Sequence, residues 1–434
     1  MRNSVSCALS LTVMAAAVGK TVRAEKFLAY VRQGRPATAE DWSRLPPVVV
    51  ILPLLDEAPV IDALFSAIGK LRYPRDRLYV LAATAEEAGG GPSSREAVQR
   101  VIDGAPDDPR RPVRCVHLGR KSTCKADQLN AALAEARRIC RERSWPETSL
   151  VVGVFDADSR PESDLLIEVG SAFAQDPDLE AMQAYPVYLD DLEARTPQMK
   201  VEALRQTARS FCVEAPRALR YQRASAGLRS TVDAHYLIGH GQFFRGARLI
   251  DAGFPTGAPI DDLVQGFAYT LAGLRTRTAV HFDHCTVPLR TTDFVRQTRT
   301  WFVAQCSAGE MIRQRRRLDG RRASTGTWLR LGWLIARDAV PWLGRGLEVP
   351  LAVADSWRLR SSRPMALCAA ALWFEWQSER YVLQRLRTVL DVGGPEVSSV
   401  RAMARPTLKA LGPMSAVCLR LTGVEVKGGK TPRD

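Results

Sequence analysis

"VVGVFDADSRPESD", residues 151–164, contains the change of pattern on which the fold turns. An apolar run stops at Asp156-Ala157-Asp158, and a polar stretch follows. A short apolar run bounded in this way reads as a buried strand. Ser159 and Glu162 then have the spacing of a capping box at a helix start. The two aspartates are either strand-end residues or ligands of a hard cation, which takes one or two carboxylates together with phosphate oxygens. The triplet alone does not decide. About one Asp-x-Asp is expected by chance in a chain of this length and ordinary composition, and "DPD" at 176–178 is a second.

Upstream of this stretch, strand-like and helical patterns alternate. Residues 46–71 read as strand, turn and helix, 77–86 as a second strand, and 89–94 as a loop and helix start. Residues 111–119 form a third strand pattern and 125–142 an amphipathic helix. Residues 149–158 are a fourth strand and 180–189 a fifth. This alternation predicts an α/β fold, a mostly parallel sheet with helices on both faces. Ligands of such sheets bind beyond the carboxyl ends of the strands, where Asp156 and Asp158 fall.

The pattern changes after residue 190. Residues 195–228 are helical and basic, 235–246 are a strand and turn, a helix begins near 261, and 275–287 are strand-like. From residue 293 the chain reads as amphipathic helices carrying seven of the nine tryptophans. Its longest uncharged run, 364–374, is too short to span a bilayer. The last nine residues read as a disordered tail. At the other end, residues 4–19 are mildly apolar and precede a basic stretch. They read as a membrane anchor or interfacial segment, a surface helix, or a cleaved signal. If inserted, their basic flank would keep the rest of the chain in the cytoplasm. The expected division is an N-terminal segment 1–45, an α/β domain 46–292 and a helical region 293–434.

The net charge of +14 suits phosphates, anionic headgroups or nucleic acid. No nucleic-acid motif accompanies it, so nucleic acid is not an expected partner. Nine cysteines without a Cys-x-x-Cys pair fit reduced thiols in a cytosolic compartment, neither a disulfide framework nor a zinc site. "RQRRRLDGRR" (313–322) is a solvated helix end or a contact with an anionic membrane surface.

Several short segments have the chemistry of a site. Arg120, Lys121 and Lys125 precede or open a helix, a setting that suits a diphosphate. Asp261 and Asp262 fall at a helix N-terminus, where carboxylates are favoured by the macrodipole; the alternative is a general base. Gln297, Arg299 and Trp301 are residues that bind sugars or headgroups. "HFDH" (281–284) looks metal-like, with His281 and Asp283 on one face of a strand and His284 on the other. Satisfied polar histidines are the alternative to metal ligands there.

In order along the chain, these segments resemble the family 2 glycosyltransferases with a GT-A fold, the bacterial group related to cellulose-synthase-like enzymes. A Pro-x-x-Asn-Glu-like strand end reads Pro53-Leu54-Leu55-Asp56-Glu57. A Lys-Ala-x-x-Leu-Asn helix reads Lys125 to Asn130. Asp156-x-Asp158 follows, then a Gln-x-x-Pro strand at Gln183 to Pro186 and a Gly-x-Gly segment from Gly239 to Arg245. Asp261-Asp262 stand for a Glu-Asp motif, and Gln297 to Trp301 for a degenerate Gln-x-x-Arg-Trp. The resemblance covers about residues 46–305.

It implies a GT-A type, Rossmann-like sheet with a C-terminal amphipathic helical extension. It also implies inverting transfer of a hexosyl group from a nucleotide-diphosphate sugar, with a UDP-sugar favoured, to a glycan, lipid or small-molecule hydroxyl. Pro53, Asp56, Glu57, Arg120, Lys125, Asp156 and Asp158 would bind the donor. Thr84 or Glu86 would replace the aspartates that commonly bind the base. Mg2+ or Mn2+ would sit on Asp158, with Asp156 shared between metal and ribose. Asp262, beside Asp261, would be the general base, and His240, Gln242, Gln297, Arg299 and Trp301 would shape the acceptor site. The expected location is the cytoplasm or the cytoplasmic membrane face. The alternative is a membrane-peripheral scaffold with a degenerate transferase domain.

Overall fold

The computed structural model describes residues 4–35, 42–87, 92–104, 112–122, 124–190, 192, 195–226, 233–257, 260–287, 291–390 and 410–419. The C-terminal tail and most of the loop at 89–91 lie outside them. A seven-stranded sheet has the order β3-β2-β1-β4-β8-β6-β9. Its strands are β1 (Val48–Leu54), β2 (Leu78–Ala85), β3 (Val113–Leu118), β4 (Val151–Val154), β6 (Leu179–Gln183), β8 (Gln242–Arg245) and β9 (Arg275–Thr278). The β3-β2-β1-β4 half is parallel, β8 is antiparallel to both neighbours, and β6 and β9 are parallel. A second sheet joins the two-residue strands β5 (Arg160–Pro161), β10 (Asp283–His284) and β7 (Pro186–Val187).

The continuous apolar runs of β1 and β2 follow from their central positions, since strands covered on both faces need no polar alternation. Helices α2 (Ile61–Gly69), α3 (Ser94–Asp103) and α5 (Leu165–Gln175) bury their apolar stripes on one face. Helix α4 (Lys125–Arg143) covers the other, through Leu129, Leu133, Ala136 and Ile139. The sheet is therefore the central layer of an α/β sandwich.

Two local expectations are corrected. Helix α5 begins at Leu165, behind Asp164. The hydroxyl of Ser159 does not cap it, but accepts from Asp156 N–H at 3.1 Å and donates to Asp283 at 2.7 Å. Glu162 pairs with Arg35 at 2.8 Å. A strand carboxylate 124 residues away outcompetes the local capping geometry.

The remaining helices are α6 (Pro197–Arg209), α7 (Ala215–Ala226), α8 (Gly246–Ala252), α9 (Asp261–Ala272), α10 (Thr291–Gln305), α11 (Ala308–Asp319), α12 (Thr325–Leu359), α13 (Arg363–Leu390) and α14 (Ala410–Leu419). A π-helical turn, Ser210–Glu214, joins α6 to α7. Helix α1 (Val5–Gly34) lies against α12 and α13. Its hydroxyls Ser4 and Ser6 both donate to Asp355 of α12 at 2.7 Å, and Lys20 pairs with Glu375 of α13 at 2.8 Å.

The two faces of α1 differ. Phe27, Leu28 and Val31 are fully buried with Phe211 and Phe282, whereas Leu11, Val18 and Val22 face outwards. The helix continues well past residue 19, and it is long and apolar enough to cross a membrane, with a mean hydropathy of 1.6 over 18 residues. Exposed Trp328, Trp333 and Trp357 on α12 and Trp373 on α13 extend the apolar surface.

Candidate active site

The site lies beyond the carboxyl ends of β1, β2 and β4. Gln128, on the first turns of α4, closes the space between the strands by donating to Leu54 and Ala83 carbonyls at 2.7 and 2.9 Å. That places Lys125 at the mouth of the sheet. Its ammonium donates to Asp156 Oδ1 at 2.5 Å and to the Gly239 carbonyl at 2.7 Å. Burial opposes its charge, but Asp156, Asp261 and Asp262 prevail and raise its pKa.

Asp261 and Asp262 are the first residues of α9. Burial, then the charge of Asp261, pushes Asp262 up to about 8, with Lys125 pulling the other way. Asp261 is raised too, chiefly by burial. Asp261 Oδ2 is buried and makes no hydrogen bond among the described residues. The Asp262 carboxyl packs directly on Gly239, which has φ +85°, and a Cβ there would collide with Asp262 Oδ2. Glycine is required at this position both for its backbone conformation and for the close approach.

Asp158 bonds Thr286. Its Oδ2 accepts from the Thr286 N–H at 3.1 Å and hydroxyl at 2.9 Å. Behind it lies a buried cluster of His240, Asp283 and Cys285, whose ligand atoms all fall within 4.8 Å of one another. His240 Nδ1 is 2.8 Å from Asp283 Oδ2 and 3.3 Å from Cys285 Sγ. Burial opposes the imidazolium, but Asp283 raises the His240 pKa. Ser159 links this cluster to the Asp156 backbone. A divalent cation fits here: Asp158 is a hard oxygen donor at the rim, and the adjacent cluster supplies nitrogen, oxygen and sulfur.

The histidines of "HFDH" are committed elsewhere. His281 bonds Glu168 at 2.9 Å. His284 bonds Asp190 at 2.9 Å, and although burial opposes its charge, Asp190 and Glu162 raise it to about 9. Asp283 between them is the residue that reaches the site. Sequence reading offered the ligand role in this run to its histidines rather than to Asp283, and it missed Cys285 and Thr286; the only signal was the polar, ligand-rich run at 281–286.

A cleft of about 930 Å³ flanks the ends of β2 and β3, lined by Asp56, Glu86, His117, Arg95 and Arg100. Thr84 lies beneath it, fully buried and 3.0 Å from His117 Nδ1, while Glu86 holds Nε2 of the same ring at 3.1 Å. Asp56 has φ +51° and donates its N–H to Glu87. Glu57 is buried, with its N–H on Ser94. Pro53 is in β1, and the exposed Arg120 approaches Asp127 at 3.6 Å.

The expected acceptor residues divide. Trp301 lines a small cavity of about 90 Å³ that Asp262 also lines. Gln297 and Arg299 are on the same helix, α10, but not among the residues lining that cavity. His240 is turned inwards onto Asp283, and Gln242 is fully buried within β8.

The layered sheet and its strand-end site invite comparison with solved structures. The mannosyltransferase PcManGT from Pyrobaculum calidifontis, in complex with GDP-Man and Mn2+, superposes with TM-score 0.52 at 19% identity, over 97% of this chain and 100% of that one. The fold is that of a GT-A glycosyltransferase. Two others match over shorter extents. S. aureus TarS 1–349 with UDP-GlcNAc covers 79% of this chain and 92% of its own, at 13% identity and TM-score 0.36. Mycobacterium tuberculosis glucosyl-3-phosphoglycerate synthase with Mn2+, UDP and phosphoglyceric acid covers 61% and 78%, at 13% identity and TM-score 0.37. No family model and no curated protein matches the chain.

Proposed function

We propose that this GT-A protein is an inverting, family 2 glycosyltransferase that moves a hexosyl group from a nucleotide-diphosphate sugar to an acceptor hydroxyl. The observation that carries this reading is the half-buried Asp262 carboxyl. It is raised above its ordinary range and set against Gly239 and the Lys125–Asp156 pair at the carboxyl end of the sheet. A base with a raised pKa is a stronger proton acceptor near neutral pH. Asp262 takes the proton of the acceptor hydroxyl as its oxygen bonds to the anomeric carbon. The anomeric C–O bond to the diphosphate breaks, and its electron pair leaves with the nucleoside diphosphate.

Asp158 would hold Mg2+ or Mn2+, with the His240–Asp283–Cys285 cluster beside it; the cation would neutralise charge on the departing diphosphate. Lys125 holds Asp156 in place and partly offsets the charge of the Asp261–Asp262 pair. The Asp56–Glu86–His117 cleft takes the base, with a UDP-sugar as the favoured donor. The protein works at the cytoplasmic membrane face, where the exposed tryptophans of α12 and α13 lie at the lipid headgroups.

A thermal-shift screen of UDP-, GDP- and TDP-sugars, with Mn2+ or with chelator, tests the donor and metal assignments. One donor raises the melting temperature, and more so with Mn2+. No shift from any donor overturns the reading. Full transferase activity in strong chelator removes the metal.

A further inference from the structure

The space beside Asp262 does not end at Trp301. A second cavity, of about 520 Å³, lies between α1, α6, α12 and α13. The two cavities share Arg209, Glu214, Tyr236, Trp301, Gln305 and Trp342, so they adjoin. The volume falls within the roughly 300–1,000 Å³ of ligand pockets. The shared segment is built rather than incidental. The Arg209 guanidinium lies over the rings of Trp342 and Trp301, at 4.7 and 5.5 Å. The π-helical turn that follows Arg209 bulges the helix at this point, a feature often found at functional sites.

The far end is different in character. Leu9, Val13 and Ala16 of α1, Val340 of α12 and Ala410 of α14 line it. Basic groups also border it, but Lys20 pairs with Glu375, Arg205 with Glu379, Arg217 with Asp338 and Arg337 with Asp233. These side chains are engaged in ion pairs within the protein, with Arg217, Arg220 and Arg337 sharing Asp233 and Asp338, and their aliphatic stems add to the apolar lining. Val340 lines the cavity and is also 63% exposed. The mouth therefore opens on the outer apolar surface of α12, next to the membrane-length helix α1.

We propose that this cavity is the acceptor-tail site, and that the acceptor is an amphiphile with one long aliphatic chain and a hydroxylated head. The chain lies between α1 and α12, and the head passes the Trp301–Trp342 segment to reach Asp262. This rests on the transferase reading above. The apolar side chains of Leu9, Val13, Ala16, Val340 and Ala410 at the far end favour a hydrocarbon chain over a glycan.

Gly344 supplies the test. It lines the cavity, and a Cβ built there meets nothing within 4 Å. Gly344→Phe fills the space while removing a helix-weakening glycine from α12. Gly332, on the same helix, has equally open space but does not line the cavity. Gly332→Phe is the control. The probe is 11-bromoundecanol, whose bromine quenches tryptophan fluorescence on contact. Saturable quenching is expected in the full-length protein and in Gly332→Phe, and at least tenfold weaker in Gly344→Phe. All three retain the donor-induced thermal shift. Equal quenching in Gly344→Phe and the parent protein would put the chain on the outer surface and overturn the proposal. Loss of quenching together with the donor shift would mean that Gly344→Phe disturbs the fold. Ala16→Phe then decides in its place, by the same criterion. A parent protein that binds 11-bromoundecanol but no donor defeats the transferase reading, whereas donor binding without quenching defeats only the tail site.

Discussion

The strand-end site and the helical cavity adjoin through the small cavity that Asp262 lines, yet they differ in the sign of their excess charge. Around Lys125, three carboxylates face one ammonium. Burial, and then the charge of Asp261, makes Asp262 hold its proton more tightly. Between α1, α6, α12 and α13 the excess is basic: Arg217, Arg220 and Arg337 share Asp233 and Asp338, and apolar side chains complete the lining. On the reading proposed above, the charge that is costly to bury is kept where chemistry uses it, and the ion pairs of the cavity shape its wall.

The comparison breaks most sharply at the base. Asp262→Asn keeps the shape of the carboxyl and removes its basicity, so turnover should fall about 10³-fold, with donor binding by thermal shift retained. Nearly full turnover would show that the unbalanced charge is not used in proton transfer. Gly239→Ala tests the geometry instead of the charge. The new methyl displaces Asp262, and about 100-fold of kcat is expected to go without a change in donor affinity.

Helix α1 responds as structure does. Phe27→Ala, on its buried face, should cost about 3–5 kcal/mol of stability by denaturant titration. Val18→Ala, on its exposed face, should stay within about 0.5 kcal/mol. Equal effects would mean that α1 does not have one core face and one surface face.

The smallest effect is on the pH profile. Asp262 acts only when unprotonated, so kcat/KM should rise with pH toward the alkaline limit set by its raised pKa. Lys125 lowers that pKa. Lys125→Met therefore moves the rising limb to higher pH; an unmoved limb would separate the ammonium from the base.

Much of this was legible along the chain. The apolar runs at 48–54 and 78–85 mark central strands because burial on both faces removes the polar alternation. The helical periodicity at 125–143 marks α4 for the same local reason. The motif order from Lys125 to Trp301 pointed to a GT-A fold, and the fold is of that type. Partnerships were not legible. Ser159 and Glu162 have capping-box spacing, and each found a distant partner of better geometry. The "HFDH" run pointed to its histidines, and the fold used its aspartate.

The sequence by itself determined the element types, the parallel half of the sheet, and the acids that gather at its carboxyl ends, because patterns of two and 3.6 residues are local. Only the tertiary structure decided that Lys125 ties Asp156 to Gly239 and that Asp158 leans on Thr286, 128 residues on. It alone set the cavity under α1 beside the one that Asp262 lines. Charges are balanced by whatever the fold brings within a few ångströms, and separation along the chain carries no record of that distance.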